Sequence, residues 1–550
     1  MAGSARTITG QAVGRCAARR QDVTNRLAEL ILETVHAHRL IGIEDLLQKV
    51  GARAHTSKLN VAAELWDLIH WEQIRLTVDS CVTTQENGEH GPAPSTGRDS
   101  RARAEKRPND IRTEARLDRD RVLHSPALHR LAGVTQIVSP DYSGHLMHSR
   151  LTHSIKVGQV GRRIADQLAS RTDEAVIAAG GGLDADVVEA ACLAHDVGHP
   201  PFGHAGEQAL DVYAREQMDL PNGFEGNAQS FRVLSRLESR FQHHPGLNLT
   251  AATLAAVIKY PWLRDEDPDS VKWRKFNAYE SDKLTFDNVR AAVPVAPEAQ
   301  TLEASIMDTA DDITYALHDL EDFYCAGSFP RNQIVAVLGD FLGARRNTTA
   351  HVPVAEDFHE LEALDLRLKR DFPSRHRDGH LALAAEKVLV LIEYTMLRHF
   401  NGSRTAYTMI RSAFAARTDS YVRGITAGPN GPHEAVTARL RDDHWHEVQV
   451  LKWLTRKFVI ARAELALSQL GQTRVLRDTV ARLLEWSERD PRRLPRTLYE
   501  YREGMPDSPT SGRRAILDYV SSLTDAQLLT LSRTLAGSGE RGIGNTFFVF

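Results

Sequence analysis

The residues best suited to catalysis or metal binding lie between positions 195 and 207, where the chain has three histidines and two carboxylates. The adjacent pair His195 and Asp196 follows a run of small and apolar residues that has the composition of a helix. Burying this pair without partners would carry a large desolvation cost. Imidazole and carboxylate are both good ligands for first-row divalent metals, so a metal ion would supply the missing partner. The pattern therefore indicates a metal site at the end of a helix.

A second pair in the same stretch suits proton transfer. Pro200 and Pro201 end the first helix, and His204 and Glu207 follow them three residues apart. If a new helix begins after Phe202, this spacing places both side chains on one face. Histidine exchanges protons near neutral pH, and a neighbouring carboxylate orients the ring and favours its charged form. The pair therefore indicates a general acid–base group.

Two more helices are needed to complete such a site. The first begins near Arg150 and carries His153, which is a candidate metal ligand. A histidine at the end of a helix is, taken alone, more often hydrogen-bonded than bound to a metal. Arg150, one turn earlier, could reach an anionic substrate. The apolar residues expected on the buried side of this helix are Ile155, Val160, Ile164 and Leu168.

The second of these helices carries Asp311, Tyr315 and Asp319, which are spaced four residues apart and therefore line one helix face. The surrounding residues are mostly apolar and short of Lys and Glu, so this polar stripe indicates a face toward a water-filled cavity. Asp308 and Asp312 compete with Asp311 for the role of metal ligand. The residue types alone leave that choice open.

The elements that must position these residues are helical from about residue 111 onward. No regular strand alternation occurs between there and about residue 530. The segment from 345 to 377 is charged and less regular, and is expected to be a peripheral excursion. Strong loop signals occur at 180–182, 221–223 and 428–432. The predicted helices are Leu151–Leu168, Asp186–His195, Asn227–Glu238, Leu249–Ile258, Leu302–Phe323, Ala382–His399, His446–Leu470, Thr473–Ser487 and Arg513–Ser521.

Taken together, these stretches resemble the HD-domain superfamily, which is named for a His…His-Asp…Asp metal site. More narrowly, they are similar to the bacterial dGTP triphosphohydrolase family, the deoxynucleoside triphosphate (dNTP) triphosphohydrolases. The resemblance covers roughly residues 107 to 535 and does not include the first hundred residues. The motifs that carry it are 118–125, 150–154, 195–207, 223–229, 259–262 and 310–315, the last continuing to 318–322.

The resemblance implies a helical HD-domain fold that hydrolyses a dNTP to a deoxynucleoside and inorganic tripolyphosphate. It implies one divalent metal ion per site (Mn²⁺, Fe²⁺ or Mg²⁺), with a ligand set of His153, His195, Asp196 and Asp311. By motif position, His204 matches the catalytic histidine and Glu207 the carboxylate that holds it. The substrate-contacting positions implied are Arg150, His199 and Tyr315 near the phosphates, Asp319 near the sugar and Gln136 near the deoxyribose.

Composition is that of an ordinary soluble globular protein. The chain has 550 residues, of which 42% are hydrophobic, and a formal net charge of −4, so no global basic field points to nucleic acid. No stretch has the length of a membrane span, and no apolar secretion segment stands at the N-terminus. We therefore expect a cytoplasmic protein without a membrane partner. The cysteines are scattered and are expected to be reduced: Cys16, Cys81, Cys192 and Cys325.

The predicted fold class is all-α, with one small α+β module at the N-terminus. Residues 1–85 show three short helical patterns followed by two strand patterns, which resembles a winged helix; a small helical packing domain is the alternative. Residues 86–110 are rich in Gly, Pro, Ser and Arg and are predicted to be a flexible, solvated linker. Residues 111–335 are predicted to form the HD-domain catalytic core. Residues 336–550 are predicted to be a C-terminal helical region that completes the fold.

Partners and alternative functions follow from this organisation. A dNTP is the expected substrate, and the family resemblance implies a homo-oligomer, a hexamer or a tetramer. The N-terminal module could contact nucleic acid or protein. The alternative functions are an HD-domain nucleotide sensor and another kind of phosphohydrolase, regulated through that module. The presence of both His204 and Glu207 favours a catalyst over a sensor.

Overall fold

A computed structural model describes residues 97–537 apart from 106, 108–109, 137–148, 242–243, 328, 347–355, 397–399, 430–434 and 506–508. It also describes three short segments nearer the N-terminus, at 41–42, 74–76 and 81–84. The chain divides into two compact units. The first is Met1–Ala93 with Phe241–His243, and the second is Pro94–Arg240 with His244–Phe550.

The described part of the first unit is a small antiparallel sheet. Its strands are β1 (Ile41–Gly42), β2 (Ile74–Leu76) and β3 (Cys81–Thr84), in the order β1-β3-β2. In the β2–β3 pair, Leu76 lies opposite Val82. The two strand patterns expected in residues 1–85 thus correspond to an antiparallel pair in the described residues. The three predicted helices of the winged-helix-like module lie outside them, so that module stays a prediction.

The second unit is built mainly of helices, which confirms the predicted fold class. Within the described residues, no helix has the length and apolar character that crossing a bilayer requires. The helices are α1 Glu114–Leu123, α2 Pro126–Arg130, α3 Arg150–Ala169, α4 Glu174–Ala179, α5 Ala185–Ala194, α6 Gly203–Gln217, α7 Gly226–Arg232, α8 Ala251–Ala256, α9 Val271–Arg274, α10 Lys283–Ala292, α11 Leu302–Cys325, α12 Arg331–Arg346, α13 Glu356–Asp371, α14 His380–Thr395, α15 Arg404–Arg423, α16 Asp442–Thr455, α17 Ala463–Arg489, α18 Arg496–Glu503, α19 Pro509–Ser521 and α20 Asp525–Leu535. The other described strands are β4 Ser239–Phe241, β5 His244–Pro245, β6 Ile425–Pro429 and β7 Val436–Leu440, and all their residues except Phe241 belong to this unit.

Three helices, α3, α5 and α11, pack against one another at the centre of this unit. Each begins at a polar side chain that accepts a hydrogen bond from the backbone of the first turn: Ser149 for α3, Asp184 for α5 and Thr301 for α11. Such caps satisfy N–H groups that the helix itself leaves unpaired. The predicted buried side of α3 is correct except at Ile155, which is 48% exposed. Ile155 lies about 180° around the helix from the buried Ile164.

Gly161 allows α3 to approach both of its neighbours closely. A Cβ atom at this position would lie 2.4 Å from Sγ of Cys192 on α5 and 3.6 Å from Cβ of Ala310 on α11. We expect Gly161→Ala to lower the free energy of unfolding by about 1–3 kcal/mol, because overpacking a close-packed core forces side chains and backbone to shift. Chemical denaturation measures the change.

Gly158, one turn earlier on the same helix, provides the control. The nearest atoms to a Cβ there belong to Leu193 at 3.4 Å, which is ordinary van der Waals contact. Gly158→Ala should therefore be neutral, or should stabilise the protein by up to about 1 kcal/mol, because alanine favours the helix. Equal stability of the Gly161→Ala protein and the unmodified chain would contradict this account of the packing.

The second half of the predicted linker packs against the second unit. The Arg101 side chain is only 5% exposed and donates hydrogen bonds to the carboxylate of Asp118 and to the backbone carbonyl of Asn248. The carbonyls of residues 98 and 100 accept hydrogen bonds from the first two residues of α8. The expectation of solvated arginines is therefore wrong for Arg101. Its partners are distant in sequence, so local composition does not reveal them.

Two more expectations about the elements are wrong. A β-hairpin, β6 and β7, occurs where no strand was predicted, with Val436, Ala438 and Leu440 buried in alternation. The first strand ends in Gly428 and Pro429, which belong to the predicted loop at 428–432 and therefore hid the hairpin. The segment from 345 to 377, predicted to be peripheral, contains α13. That helix buries Leu361, Leu364 and Leu368, whose spacing of three and four is typical of a helix face.

The helix predicted at His446–Leu470 is in two parts. α16 ends at Thr455, a π-helical turn follows at Arg456–Ile460, and α17 begins at Ala463. π-helical turns are rare and occur frequently at functional sites. This one lines a cavity that is described with the site below.

Candidate functional site

Three of the four predicted metal ligands come together where α3, α5 and α11 meet. His153 on α3, His195 just after α5 and Asp311 on α11 each offer one ligand atom, and these atoms lie within 4.8 Å of one another. Nε2 of His153 is 3.2 Å from Oδ1 of Asp311, and Nε2 of His195 is 3.6 Å from the same oxygen. Two imidazole nitrogens and a carboxylate oxygen around one point form a donor set that suits a divalent metal. We call these residues the metal cluster.

The orientation of the His195 ring leaves one nitrogen without a partner. Nδ1 lies 2.6 Å from the backbone carbonyl oxygen of Cys192 and therefore donates its proton there. A hydrogen bond of this kind fixes the tautomer of a metal-binding histidine. Nε2 is buried and has no hydrogen-bond partner among the described residues. A metal ion would satisfy this buried nitrogen, so the residues present fit a metal at this point.

The fourth predicted ligand, Asp196, faces the same point from one side. Its Oδ1 is 3.5 Å from Nε2 of His195. It is also 3.1 Å from Nδ1 of His199, without hydrogen-bond geometry. Oδ2 of Asp196 accepts a hydrogen bond of 2.5 Å from Nη1 of Arg150. Arg150 therefore holds the Asp196 side chain, and Oδ1 is the oxygen that faces the two histidines.

The carboxylates around the metal cluster favour a positive charge at its centre. Burial lowers the pKa of His195, but the charges of Asp196 and Asp311 outweigh burial and raise this pKa to about 9. Burial raises the pKa of Asp311, but Lys259 and the two histidines bring it well below its usual range. The same field would attract a divalent cation.

The turn that carries His195 and His199 packs against α7, whose Ser230 holds it by two hydrogen bonds. The hydroxyl of Ser230 donates to the carbonyl of His195 at 2.8 Å and accepts from the N–H of Gly198 at 3.0 Å. A Cβ atom at Gly198 would lie only 2.1 Å from the backbone nitrogen of Ser230. Because that contact is with backbone, only glycine fits at this position.

α6 begins at Gly203, as expected, and places the predicted acid–base pair on one face. Nδ1 of His204 donates to Oε2 of Glu207 at 2.9 Å, and the His204 side chain is 67% exposed. Oε1 of Glu207 accepts from Nζ of Lys275 at 2.9 Å and from the N–H of Gly226 at 3.1 Å. Burial raises the pKa of Glu207, but Lys275 and His204 bring it well below its usual range. Glu207 is therefore an ionised anchor that leaves Nε2 of His204 free to exchange a proton.

His199 lies between the metal cluster and the acid–base pair. Its ring centre is 5.1 Å from that of His204. Both of its ring nitrogens are buried without a hydrogen-bond partner among the described residues. Burial and the charge of Arg150 lower the pKa of His199 to about 4, so the ring is neutral at physiological pH. A neutral ring with unpartnered nitrogens is suited to contact a bound ligand.

The polar face of α11 continues beyond Asp311, as predicted. Tyr315 is half-buried and Asp319 is buried. Oδ2 of Asp319 and Oε1 of Gln136 are buried polar atoms with no hydrogen-bond partner in the described part of the chain. Burial, together with nearby carboxylates, raises the pKa of Asp319 well above its usual range, which favours the protonated form. Both positions therefore suit a hydroxyl group.

The neighbouring aspartates of α11 are distinguished by their contacts. Asp311 faces the histidines, whereas Oδ1 of Asp308 lies 2.7 Å from Nζ of Lys259. Oδ1 of Asp312 lies 2.8 Å from Nζ of Lys452. Lys259 also reaches Oδ2 of Asp311 at 3.0 Å. Of the three candidates, the structure thus brings Asp311 to the metal cluster.

Two lysines at the site were not predicted. Lys259 pairs with Asp311, and Lys275 pairs with both Glu207 and Glu225 at 2.9 Å. Lys259 falls inside one of the motifs, which could have indicated it. Nothing local indicates Lys275, because its partners are 68 and 50 residues away in the chain.

A cavity of about 560 Å³ lies between α13 and α16, and one of its lining residues, Lys452, pairs with Asp312 of α11. Arg367, Lys452 and Arg456 line it. Burial raises the pKa of Tyr315, and the charge of Arg456 opposes that rise, so Arg456 acts on the polar face of α11. The positive charge of the lining residues suits phosphate groups.

Two known domains match the chain. The HD domain matches residues 150–316, a range that holds His153, His195 and Asp311. A phosphohydrolase-associated domain matches residues 438–534. The first match therefore spans the metal cluster and the acid–base pair, and the second spans the helices that follow the β6–β7 hairpin.

Several bacterial proteins are similar in sequence to this chain over most of its length. A deoxyguanosinetriphosphate triphosphohydrolase-like protein of Streptomyces coelicolor is 35% identical over 465 residues, which is 81% of this chain and 99% of the relative. A protein with the same description from Bifidobacterium longum is 33% identical, over 77% of this chain and 83% of the relative. One from Corynebacterium efficiens is 32% identical, over 78% and 92% respectively.

Proposed function

Because the chain belongs to the HD-domain phosphohydrolase family of deoxyguanosinetriphosphate triphosphohydrolase-like proteins, we propose that it hydrolyses dNTPs to a deoxynucleoside and inorganic tripolyphosphate. One observation carries this proposal: the metal cluster and the His204–Glu207 pair lie on either side of His199. Phosphate ester hydrolysis needs charge stabilisation at phosphorus and a proton for the leaving oxygen. The two groups suit these two needs.

His153, His195, Asp196 and Asp311 are the residues that would hold a divalent metal. When bound, the metal would act as a Lewis acid on a phosphate oxygen. Mixed nitrogen and oxygen donors suit Mn²⁺ or Fe²⁺, whereas Mg²⁺ prefers a shell of oxygens alone.

His204 supplies the proton in this proposal. Water attacks the α-phosphorus and loses a proton to solvent, and the bond from that phosphorus to the 5′-oxygen breaks. The leaving oxygen takes a proton from His204 to become the hydroxyl of the deoxynucleoside, and solvent then restores the proton on His204. Nδ1 of His204 donates to Glu207, so Nε2 is the nitrogen that gives up the proton. The ionised Glu207 stabilises the charged ring before the transfer.

The other polar residues are assigned to the substrate. As the family resemblance implies, Arg150, His199 and Tyr315 would contact the phosphates. Arg150 donates to Asp196, and the His199 ring lies 5.1 Å from that of His204. Asp319 and Gln136 would contact the sugar, since each offers a buried oxygen without a partner among the described residues. A hydroxyl group can donate to Oε1 of Gln136, which only accepts, and can accept from the carboxyl of Asp319 when this is protonated.

We also propose a homo-oligomer, a hexamer or a tetramer. α14 buries one side in the core, yet Leu383, Val390 and Tyr394 on one face of it are 56%, 47% and 73% exposed. Exposed apolar side chains that share one helix face can mark a protein–protein contact, and a second copy of the chain would cover them. Contact of the N-terminal module with nucleic acid or protein remains a proposal from its predicted winged-helix-like form.

Product analysis tests the proposed reaction. The full chain is incubated with Mn²⁺ and each dNTP, singly and in mixtures, and the products are separated by chromatography. We expect a deoxynucleoside and tripolyphosphate in equal amounts. A deoxynucleoside monophosphate with pyrophosphate, or a diphosphate with phosphate, would mean another phosphohydrolase. Absence of turnover in protein shown to hold Mn²⁺ would favour the nucleotide sensor.

A further inference from the structure

Arg98, in the segment before α1, joins the starting points of α5 and α11. Its Nη2 donates to Oε1 of Glu303 at 2.6 Å, and its Nη1 donates to the carbonyl of Gly181. Glu303 lies in the first turn of α11, and Gly181 lies in the loop that enters α5. The same Oε1 accepts from the N–H of Asp184, the N-cap of α5, at 2.8 Å. We call these four residues the Arg98 clamp.

The glycine run at 180–182 makes room for this clamp. A Cβ atom at Gly182 would lie 1.7 Å from Nη1 of Arg98, and one at Gly180 would lie 2.7 Å from Cβ of Leu302. The N–H of Leu302 also donates to the carbonyl of Gly180 at 2.8 Å. Gly182 has a φ of +104°, a conformation in which a side chain is strained. What the sequence marks only as a loop is therefore the point where the two helix starts meet.

Glu303 depends on Arg98 for its charge. The carboxylate is fully buried, and its Oε2 has no hydrogen-bond partner among the described residues. Burial raises the pKa of Glu303 to about 7, while the charge of Arg98 opposes the rise. Among the ion pairs of the described residues, Arg98 is the partner of Glu303. Loss of Arg98 would therefore leave a buried acid without its counter-charge.

α5 and α11 run side by side from the clamp to the metal cluster. His195 follows the first residue of α5 by about ten residues, and Asp311 follows the first residue of α11 by about nine, so both helices reach the cluster after roughly 14 Å. A helix is stiff over this length. If the first turn of α5 shifted along its axis relative to the first turn of α11, the metal cluster would therefore shift as well. There, Nε2 of His195 and Oδ1 of Asp311 are 3.6 Å apart.

We propose that Arg98 is a positioning residue for the metal site, because its clamp on the two helix starts aligns His195 with Asp311. The inference rests on the proposed function, since it takes the cluster to bind a metal. The metal site would then depend on a residue outside the HD-domain match, because the segment around Arg98 precedes residues 150–316.

The test is the Mn²⁺ affinity of the full-length, metal-free protein, measured by electron paramagnetic resonance of free Mn²⁺. Arg98→Ala should weaken binding by about tenfold, which is typical when a residue that orients metal ligands is removed. Glu303→Gln should give a similar loss. The double variant should lose no more than either single variant, because both residues act through one clamp. Arg98→Lys keeps the charge without the forked contact and should restore part of the affinity.

Arg112→Ala is the matched control. Arg112 makes ion pairs with Asp110 and Asp120, neither of which belongs to α5 or α11. This variant should bind Mn²⁺ as the unmodified chain does. Where Arg98→Ala does not fold, Glu303→Gln and Arg98→Lys provide the same comparison.

The outcomes separate this inference from the proposed function. Unchanged Mn²⁺ affinity in Arg98→Ala or in Glu303→Gln overturns the inference alone, as does a lower melting temperature with unchanged affinity of the folded protein. A loss of affinity that Arg98→Lys fails to restore in part also overturns it. If the unmodified chain binds no Mn²⁺, the metal site of the proposed function fails as well.

Discussion

His204→Ala is expected to reduce kcat by about 10²–10⁴-fold while the protein still binds Mn²⁺ and dNTP, because one general acid contributes a factor of this size. The imidazole is anchored through Nδ1 to Glu207, and its side chain is largely exposed, so its removal leaves the core intact. Steady-state kinetics with a dNTP measures kcat and KM separately. Mn²⁺ binding and circular dichroism of the same preparation confirm that the metal site and fold persist.

Two variants serve as controls for His204. His129→Ala removes an exposed histidine of α2 and should leave kcat unchanged. Glu207→Gln keeps an acceptor for Nδ1 but removes the negative charge that stabilises the protonated ring, so a smaller loss of kcat is expected. A normal kcat in His204→Ala would exclude His204 from the mechanism.

Asp311→Asn is expected to weaken Mn²⁺ binding by more than about 100-fold. This exceeds the loss caused by removing a residue that only hydrogen-bonds to a metal ligand. Turnover should fall in proportion to the Mn²⁺ that is lost. The substitution keeps the shape of the side chain but removes its negative charge. Oδ1 of Asp311 is the oxygen that both His153 and His195 face. Isothermal titration with Mn²⁺ measures the affinity, and turnover at saturating Mn²⁺ shows how much activity the metal restores.

The neighbouring aspartates provide matched controls for Asp311. Asp308 and Asp312 lie on the same helix but pair with Lys259 and Lys452 instead of facing the histidines. Asp308→Asn and Asp312→Asn should each retain Mn²⁺ affinity within a few-fold of the unmodified chain. Tight Mn²⁺ binding by Asp311→Asn, with a loss in Asp308→Asn, would move the ligand role to Asp308.

Contacts within one helix could be predicted from the sequence, because helical geometry fixes which residues share a face. The spacing of His204 and Glu207 predicted their contact, and the structure has it at 2.9 Å. The stripe of Asp311, Tyr315 and Asp319 was predicted in the same way. The assignment of these residues to metal, catalysis and substrate stays a prediction, because it came from the family resemblance.

Contacts between distant segments could not be predicted, because no local pattern encodes them. Lys275 reaches Glu207 across 68 residues, and Arg98 reaches Glu303 across 205. Composition placed Arg98 in a flexible linker, although its partner is buried in the first turn of α11. The helix α13 was missed for a different reason: its many charges hid the spacing of Leu361, Leu364 and Leu368.

The measurement that tests the central claim most directly is hydrolysis of a dNTP in water labelled with oxygen-18, followed by mass spectrometry of both products. Attack of water at the α-phosphorus, with protonation of the leaving 5′-oxygen by His204, predicts one labelled oxygen in tripolyphosphate and none in the deoxynucleoside. Label in the 5′-hydroxyl would mean that the carbon–oxygen bond breaks. Label in phosphate or pyrophosphate, with a nucleotide as the other product, would mean cleavage at a different phosphorus, and either result would contradict the proposed roles of the site.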